Sequence, residues 1–189
     1  MTDEPGYAEA AIRQGSQSFA AAARLFDRRT RRDVTILYAW CRHCDDVVDG
    51  QVLGHGQMAD GRTPGERLRE LRQRTDVMLR GEPVDHPAWR DLPEVLARNA
   101  IPGRLLHDHL DGFSHDVEGR TYDTLPDLME YCYGVAGAVG LMMASIMGAR
   151  APDTLDRACD LGLAFQLTNI ARDVGEDLAA GRLYLPRQW

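Results

Sequence analysis

The 189-residue sequence predicts an all-α fold, and three observations carry that expectation. Apolar residues recur at helical spacing through nearly every segment. No run shows sustained period-two alternation, and no Asn-Gly hairpin signal occurs. Pro64, Pro87, Pro102 and Pro152 each stand where a helix can begin. Roughly six or seven helices are expected, in a single domain over residues 1–189.

The first clear start is Thr30-x-x-Asp33, a capping-box pattern. Apolar residues follow it at helical spacing up to Gly50, which reads as a helix C-terminus. Residues 51–64 are rich in glycine and polar side chains and read as a loop. Pro64, Pro87 and Pro102 open the middle helices. Thr124-x-x-Asp127, with Pro126 in its first turn, starts a helix that runs to about Gly148. Pro152 opens the last helix, which ends before Gly181. There is no internal repeat and no low-complexity segment.

Tyr131 to Ala149 contains no charged residue, a length approaching a membrane span. It also holds Gly134, Gly137, Gly140 and Gly148, two tyrosines, a cysteine and a serine. Glycines at three-residue spacing let another helix or a ligand approach the backbone closely. The stretch therefore reads as a central buried helix, with a membrane span as the alternative.

The net charge of −7 argues against a general nucleic-acid binder. All 22 positive charges are arginines. An acidic chain that handles an anionic substrate needs local positive charge, from clustered arginines or from bound metal. The first residues have no basic or apolar run, so no signal peptide is expected. Cys41, Cys44, Cys132 and Cys159 then read as reduced thiols of a cytoplasmic protein. Cys41-x-x-Cys44 has the spacing of half a zinc site, but the other two cysteines do not complete it. The final residues, Tyr184 to Trp189, show no polar tail and no cap, and read as the end of a C-terminally truncated fragment.

Two acidic clusters carry the chemistry. In the first, Tyr38, Arg42, Asp45 and Asp49 share one helix face at spacings of four, three and four. In the second, Gln166, Asn169, Asp173 and Asp177 form a similar row with Arg172 beside it. Like charges four residues apart cost a helix about 0.2–0.5 kcal/mol per pair. Both rows also lie near helix C-termini, where carboxylates oppose the dipole. A bound hard cation removes both objections, and oxygen ligands without histidine or cysteine suit Mg²⁺. Mg²⁺ prefers a few carboxylates plus phosphate oxygens, and arginine is the fitting partner for those oxygens. The pattern therefore points to a phosphate-bearing ligand between two helices. A merely solvated acidic face is the alternative.

These residues resemble the two aspartate motifs of the squalene/phytoene synthase family. Asp45-Asp-Val-Val-Asp49 is similar to the first motif, and Asn169-Ile-Ala-Arg-Asp173-Val-Gly-Glu-Asp177 to the second. Gly15-Ser-Gln-Ser-Phe19, Leu37-Tyr-Ala-Trp-Cys-Arg42, His109-Leu-Asp-Gly-Phe113, Tyr131-Cys-Tyr-Gly-Val-Ala-Gly137 and Gly181-Arg-Leu-Tyr-Leu-Pro186 fit as well. Within the family, Leu161 to Asp173 looks most like the bacterial phytoene synthases. The resemblance implies an isoprenoid synthase type of helical bundle around a central cavity, lacking its C-terminal helices. It implies that Asp45, Asp49, Asn169, Asp173 and Asp177 hold Mg²⁺, with Mn²⁺ as the substitute ion. Gly15, Ser16, Gln17, Ser18, Tyr38, Arg42, Gln166 and Arg172 would meet diphosphate or the reacting carbons. Tyr131, Val135 and Gly140 would line an apolar cavity, and Asp46 and Glu176 would support the ligands without binding metal.

The implied reaction joins two geranylgeranyl diphosphates head to head through a cyclopropyl diphosphate to give phytoene, a step of carotenoid biosynthesis. Squalene or dehydrosqualene synthesis from farnesyl diphosphate is the nearest alternative. A non-catalytic helical assembly protein on the same fold is the alternative of another class. The implied partners are prenyl diphosphates, with peripheral membrane contact for product release. Three further patterns have blander readings. His107, Asp111 and His115 form a row of potential metal ligands or a surface feature. Met142, Met143 and Met147 read as core or cavity wall. Arg28-Arg-Thr-Arg-Arg32 reads as a solvated helix start, or as a contact for anionic lipid.

Overall fold

The computed structural model describes residues 6–51 and 60–189, and these hold helices and turns but no strand. Most of the loop read over 51–64 lies outside the described residues. The helices are α1 (Tyr7–Gly15), α2 (Gln17–Ala23), α3 (Arg28–Asp49), α4 (Pro64–Leu79), α5 (Pro87–Arg90), α6 (Leu92–Arg98), α7 (Arg104–Val117), α8 (Leu125–Cys132), α9 (Ala138–Ile146) and α10 (Pro152–Ala179). A π-helical turn, Tyr133–Gly137, joins α8 to α9. The six or seven expected helices are thus ten among the described residues. The excess comes from short segments that spacing alone does not separate, such as the four-residue α5.

The chain divides into two compact units, one ending at Gly103 and including Ile146–Gly148, the other formed by Arg104–Ser145 and Ala149–Trp189. In the first unit α3 is the central element. Leu37 and Trp40 on α3 are fully buried with Leu71, Trp89, Leu92 and Val95. The α3 cap is not the expected Thr30. Asp27 accepts the amides of Arg29 and Thr30 at 2.9 and 3.1 Å, so the helix begins at Arg28. Asp33, read as the acidic end of a capping box, is instead buried. It accepts from Arg98 Nη2 at 2.9 Å and Asn99 Nδ2 at 2.9 Å, tying α3 to α6. At its other end α3 stops where expected. Gly50 takes a left-handed φ of 69°, and a side chain there would strike the Arg67 guanidinium.

In the second unit the expected capping box at Thr124 is present, with Asp127 Oδ2 accepting the Thr124 amide at 2.9 Å. The glycine ladder serves helix packing. A Cβ on Gly112 of α7 would lie 2.7 Å from the Val135 nitrogen. One on Gly162 of α10 would lie 2.5 Å from the Ala136 oxygen, and one on Gly140 equally close to the Ala158 oxygen. The π turn is thus wedged between the backbones of α7 and α10. His109 fastens the α7 side, its Nδ1 3.2 Å from the Gly134 carbonyl. Leu125–Ile146 is long and apolar enough to cross a membrane by length and composition. Half of its most apolar window is buried, and its Gly134 and Gly140 meet the backbones of α7 and α10, as a core helix requires. Met142 is fully buried, whereas Met147, expected in the core or a cavity wall, is exposed.

Candidate functional site

On α3 the row Tyr38, Arg42, Asp45, Asp49 holds the phase expected of it. Arg42 reaches Asp45 at 3.2 Å and the buried Asp46 at 2.8 Å. Asp46 therefore anchors the guanidinium from the protein side, while Asp45 is half-exposed and Asp49 exposed. Tyr38 is half-buried, its ring centroid 5.6 Å from that of Phe19. Burial raises the Tyr38 pKa, and the Arg42 charge opposes the rise. A Cβ on Gly15 would collide with the Tyr38 hydroxyl, so the glycine of the Gly-Ser-Gln-Ser stretch makes room for this ring. Ser16 caps α2 by accepting the Phe19 amide at 3.2 Å, and Gln17 and Ser18 are exposed. Burial pushes the Cys41 thiol up to about 12 and Cys44 well above its ordinary value, so neither is a thiolate.

On α10 the row Gln166, Asn169, Asp173, Asp177 is likewise in phase. Arg172 grips Asp173 with a forked pair of hydrogen bonds, Nε at 2.7 Å and Nη2 at 2.5 Å, which lowers the Asp173 pKa. Asp177 moves the opposite way. Burial raises it first, the Asp173 charge second, and Arg182 opposes. A carboxyl crowded by like charge is the kind of group a bound cation relieves. Glu176 is exposed and off the row. Among the described residues no three His, Cys, Asp or Glu side chains converge into a metal-holding group. Each row offers two carboxylates, which fits an ion completing its shell with water and phosphate oxygens.

Tyr131 lies in the core of the second unit, and Val135 packs against that core from the π turn. The Tyr131 hydroxyl donates to Asp116 Oδ2 at 3.1 Å, and Tyr184 donates to Asp116 Oδ1 at 2.6 Å. The two rings stack with centroids 5.0 Å apart. Burial, then the Asp116 charge, raises both tyrosine pKa values, so both hydroxyls keep their protons. Sequence reasoning misses Asp116, whose partners Tyr131 and Tyr184 lie 15 and 68 residues further along the chain. The nearest signal is the Tyr184 motif. His115 is engaged by Tyr122 at 3.3 Å and Arg120 at 3.1 Å, so it does not extend His107 and Asp111 into a metal row. A second cluster missed from sequence joins α1, α3 and α5: the His43 and His86 rings lie 4.0 Å apart, Trp89 meets both edge-on, and Tyr7 meets His86 edge-on at 5.7 Å.

Fold and rows define an all-α chain with two aspartate-bearing helices, each pairing its carboxylates with arginine. The family model for squalene/phytoene synthase matches residues 12–189. The chain belongs to the squalene/phytoene synthase family. It is 53% identical over 176 residues to a 15-cis-phytoene synthase of Pantoea ananas, covering 93% of this chain and 57% of that protein. It is 50% identical over 184 residues to a phytoene synthase of Pseudescherichia vulneris, covering 97% and 60%. Among solved structures, a dehydrosqualene synthase in complex with ligand matches with a TM-score of 0.84 at 35% identity, covering 96% of this chain and 60% of that one. The chain has the isoprenoid synthase fold, and it spans about three fifths of the length of these relatives.

Proposed function

We propose that this chain carries the aspartate helices of a phytoene synthase, which joins two geranylgeranyl diphosphates head to head. The observation that carries the reading is identity of 50–53% to phytoene synthases across more than nine tenths of the chain, together with two in-phase aspartate rows. Asp45 and Asp49 on α3 and Asn169, Asp173 and Asp177 on α10 would hold Mg²⁺, which would supply positive charge for a departing diphosphate. Arg42, anchored by Asp46, and Arg172, anchored by Asp173, each offer a guanidinium group suited to diphosphate oxygens. Ionisation of the first substrate leaves an allylic cation. The double bond of the second attacks it, and loss of a proton gives the cyclopropyl diphosphate. A second ionisation, rearrangement and proton loss complete phytoene. Such cations react with water, and Val135 would help to keep it from them. The Tyr38 face favours passing positive charge by about 0.5–2 kcal/mol.

The farnesyl-using alternative rests on the dehydrosqualene synthase likeness, at the lower identity of 35%. A cytoplasmic protein with peripheral membrane contact goes with the phytoene reading, because the product is a long hydrocarbon. Incubating the protein with Mg²⁺ and either farnesyl or geranylgeranyl diphosphate, followed by product identification, tests the reading. Phytoene from the C20 substrate is expected. A C30 product formed in preference would overturn it.

A further inference from the structure

The corner between α2 and α3 combines an exposed apolar tip with a cluster of exposed arginines. Leu25 at its tip is 89% exposed. Arg24, Arg28 and Arg29 surround it in sequence, and all three are exposed and have no carboxylate partner among the described residues. The nearest acid, Asp27, is already engaged as the α3 cap, taking the Arg29 and Thr30 amides and the Thr30 hydroxyl. Arg32, one turn further on, reaches Glu94 only at 3.8 Å.

The tip is also held in place. Arg31 points back along the corner, donating from Nε to the Ala23 carbonyl at 3.0 Å and from Nη2 to the Arg24 and Phe26 carbonyls at 2.9 Å each. The Leu25 amide itself donates to Ala22 O at 3.0 Å. The backbone on both sides of Leu25 is therefore fixed, and the turn presents its side chain outward. Arg24, Arg28 and Arg32 also line a groove of about 740 Å³ together with Ile12 and Ile36, and with the acidic Glu9 and Asp91. An apolar tip inside a collar of unpaired arginines complements one kind of surface, where anionic headgroups overlie hydrocarbon. This corner stands out against an overall charge of −7.

We propose that the α2–α3 corner docks on an anionic lipid bilayer, Leu25 entering the headgroup layer and Arg24, Arg28 and Arg29 meeting lipid phosphates. This gives a surface to the membrane contact named above and does not depend on which substrate the protein turns over. The test is sedimentation of the chain with vesicles of phosphatidylcholine alone or mixed with phosphatidylglycerol, without substrate or Mg²⁺. Binding to the anionic vesicles only, weakening as salt is added, is expected. Arg24→Gln, Arg28→Gln and Arg29→Gln together lower binding about a hundred-fold, at about five-fold per arginine. Leu25→Ser alone lowers it about ten-fold at unchanged charge. A control triple, Arg69→Gln, Arg104→Gln and Arg157→Gln, carries the same net charge and keeps at least a tenth of parental binding. Equal capture by both vesicle types, no capture, or equal losses in the corner and control triples would each overturn the proposal. Circular dichroism of each variant verifies that a loss of binding is not a loss of helix.

Discussion

The two aspartate helices carry the same kind of row on different foundations. Half of the α3 residues are buried, and the helix is pinned by Asp33 to Arg98 and Asn99. Of the 28 residues of α10, only Gly162 and Ile170 are buried. Leu161, Phe165 and Leu178 on α10 are exposed. The arginines differ in the same sense. Arg42 is fixed by a buried carboxylate outside the row, whereas Arg172 is clasped by Asp173, a member of its own row. One row is thus carried by a half-buried helix, the other by a mostly exposed one that is seated through Gly162, Ile170 and the partly buried Leu163 and Leu167. Local damage should therefore act through different routes in the two units.

The largest stability effect is expected at Asp33. Asp33→Ala leaves Arg98 and Asn99 without their buried acceptor and should cost about 3 kcal/mol, read from urea unfolding. A loss below about 1 kcal/mol would mean that α3 is not held by this network. Next comes Gly162→Ala, whose methyl group meets the Ala136 carbonyl. About 2 kcal/mol of destabilisation is expected from forcing the α10 backbone away from the π turn. If the melting temperature stays unchanged, the close approach is not what seats α10.

A pH effect separates the units further. Burial holds His109, beneath the π turn, down to about 4. Its folded pKa lies below the unfolded value of about 6.5, so the unfolded chain binds the extra proton first. Stability from this group is full above about pH 6.5 and is lost as pH falls towards 4. His109→Gln should flatten that part of the stability profile of the second unit. An unchanged slope would show that the ring is not kept neutral by folding. The smallest effect is expected at the caps. Thr63→Ala and Thr124→Ala should each cost about 1 kcal/mol, since both capping boxes are complete.

Much of the fold is legible in the sequence where local chemistry decides it. Thr124-x-x-Asp127 and Gly50 are set by hydrogen bonds and φ values within a few residues, and both stand as read. Thr30-x-x-Asp33 has the same signature as a capping box but fails as one. Its acid is claimed by side chains 65 and 66 residues away, a competition no local pattern reveals. The two rows are legible because helical spacing alone places their residues on one face. The roles of Asp46 and Asp116 are not. One holds Arg42 from the core side, and the other joins Tyr131 and Tyr184 from segments far apart in the chain.

Both rows are assigned to one cation-dependent reaction despite their unequal foundations. The most direct measurement is Mg²⁺-dependent product formation from geranylgeranyl diphosphate by the protein carrying Asp45→Asn or Asp173→Asn, each exchange keeping shape and removing one charge. Each variant is expected to lose about a hundred-fold or more in turnover, with unfolding free energy nearly unchanged. Turnover equal to the parent in either variant would contradict the assignment of that row.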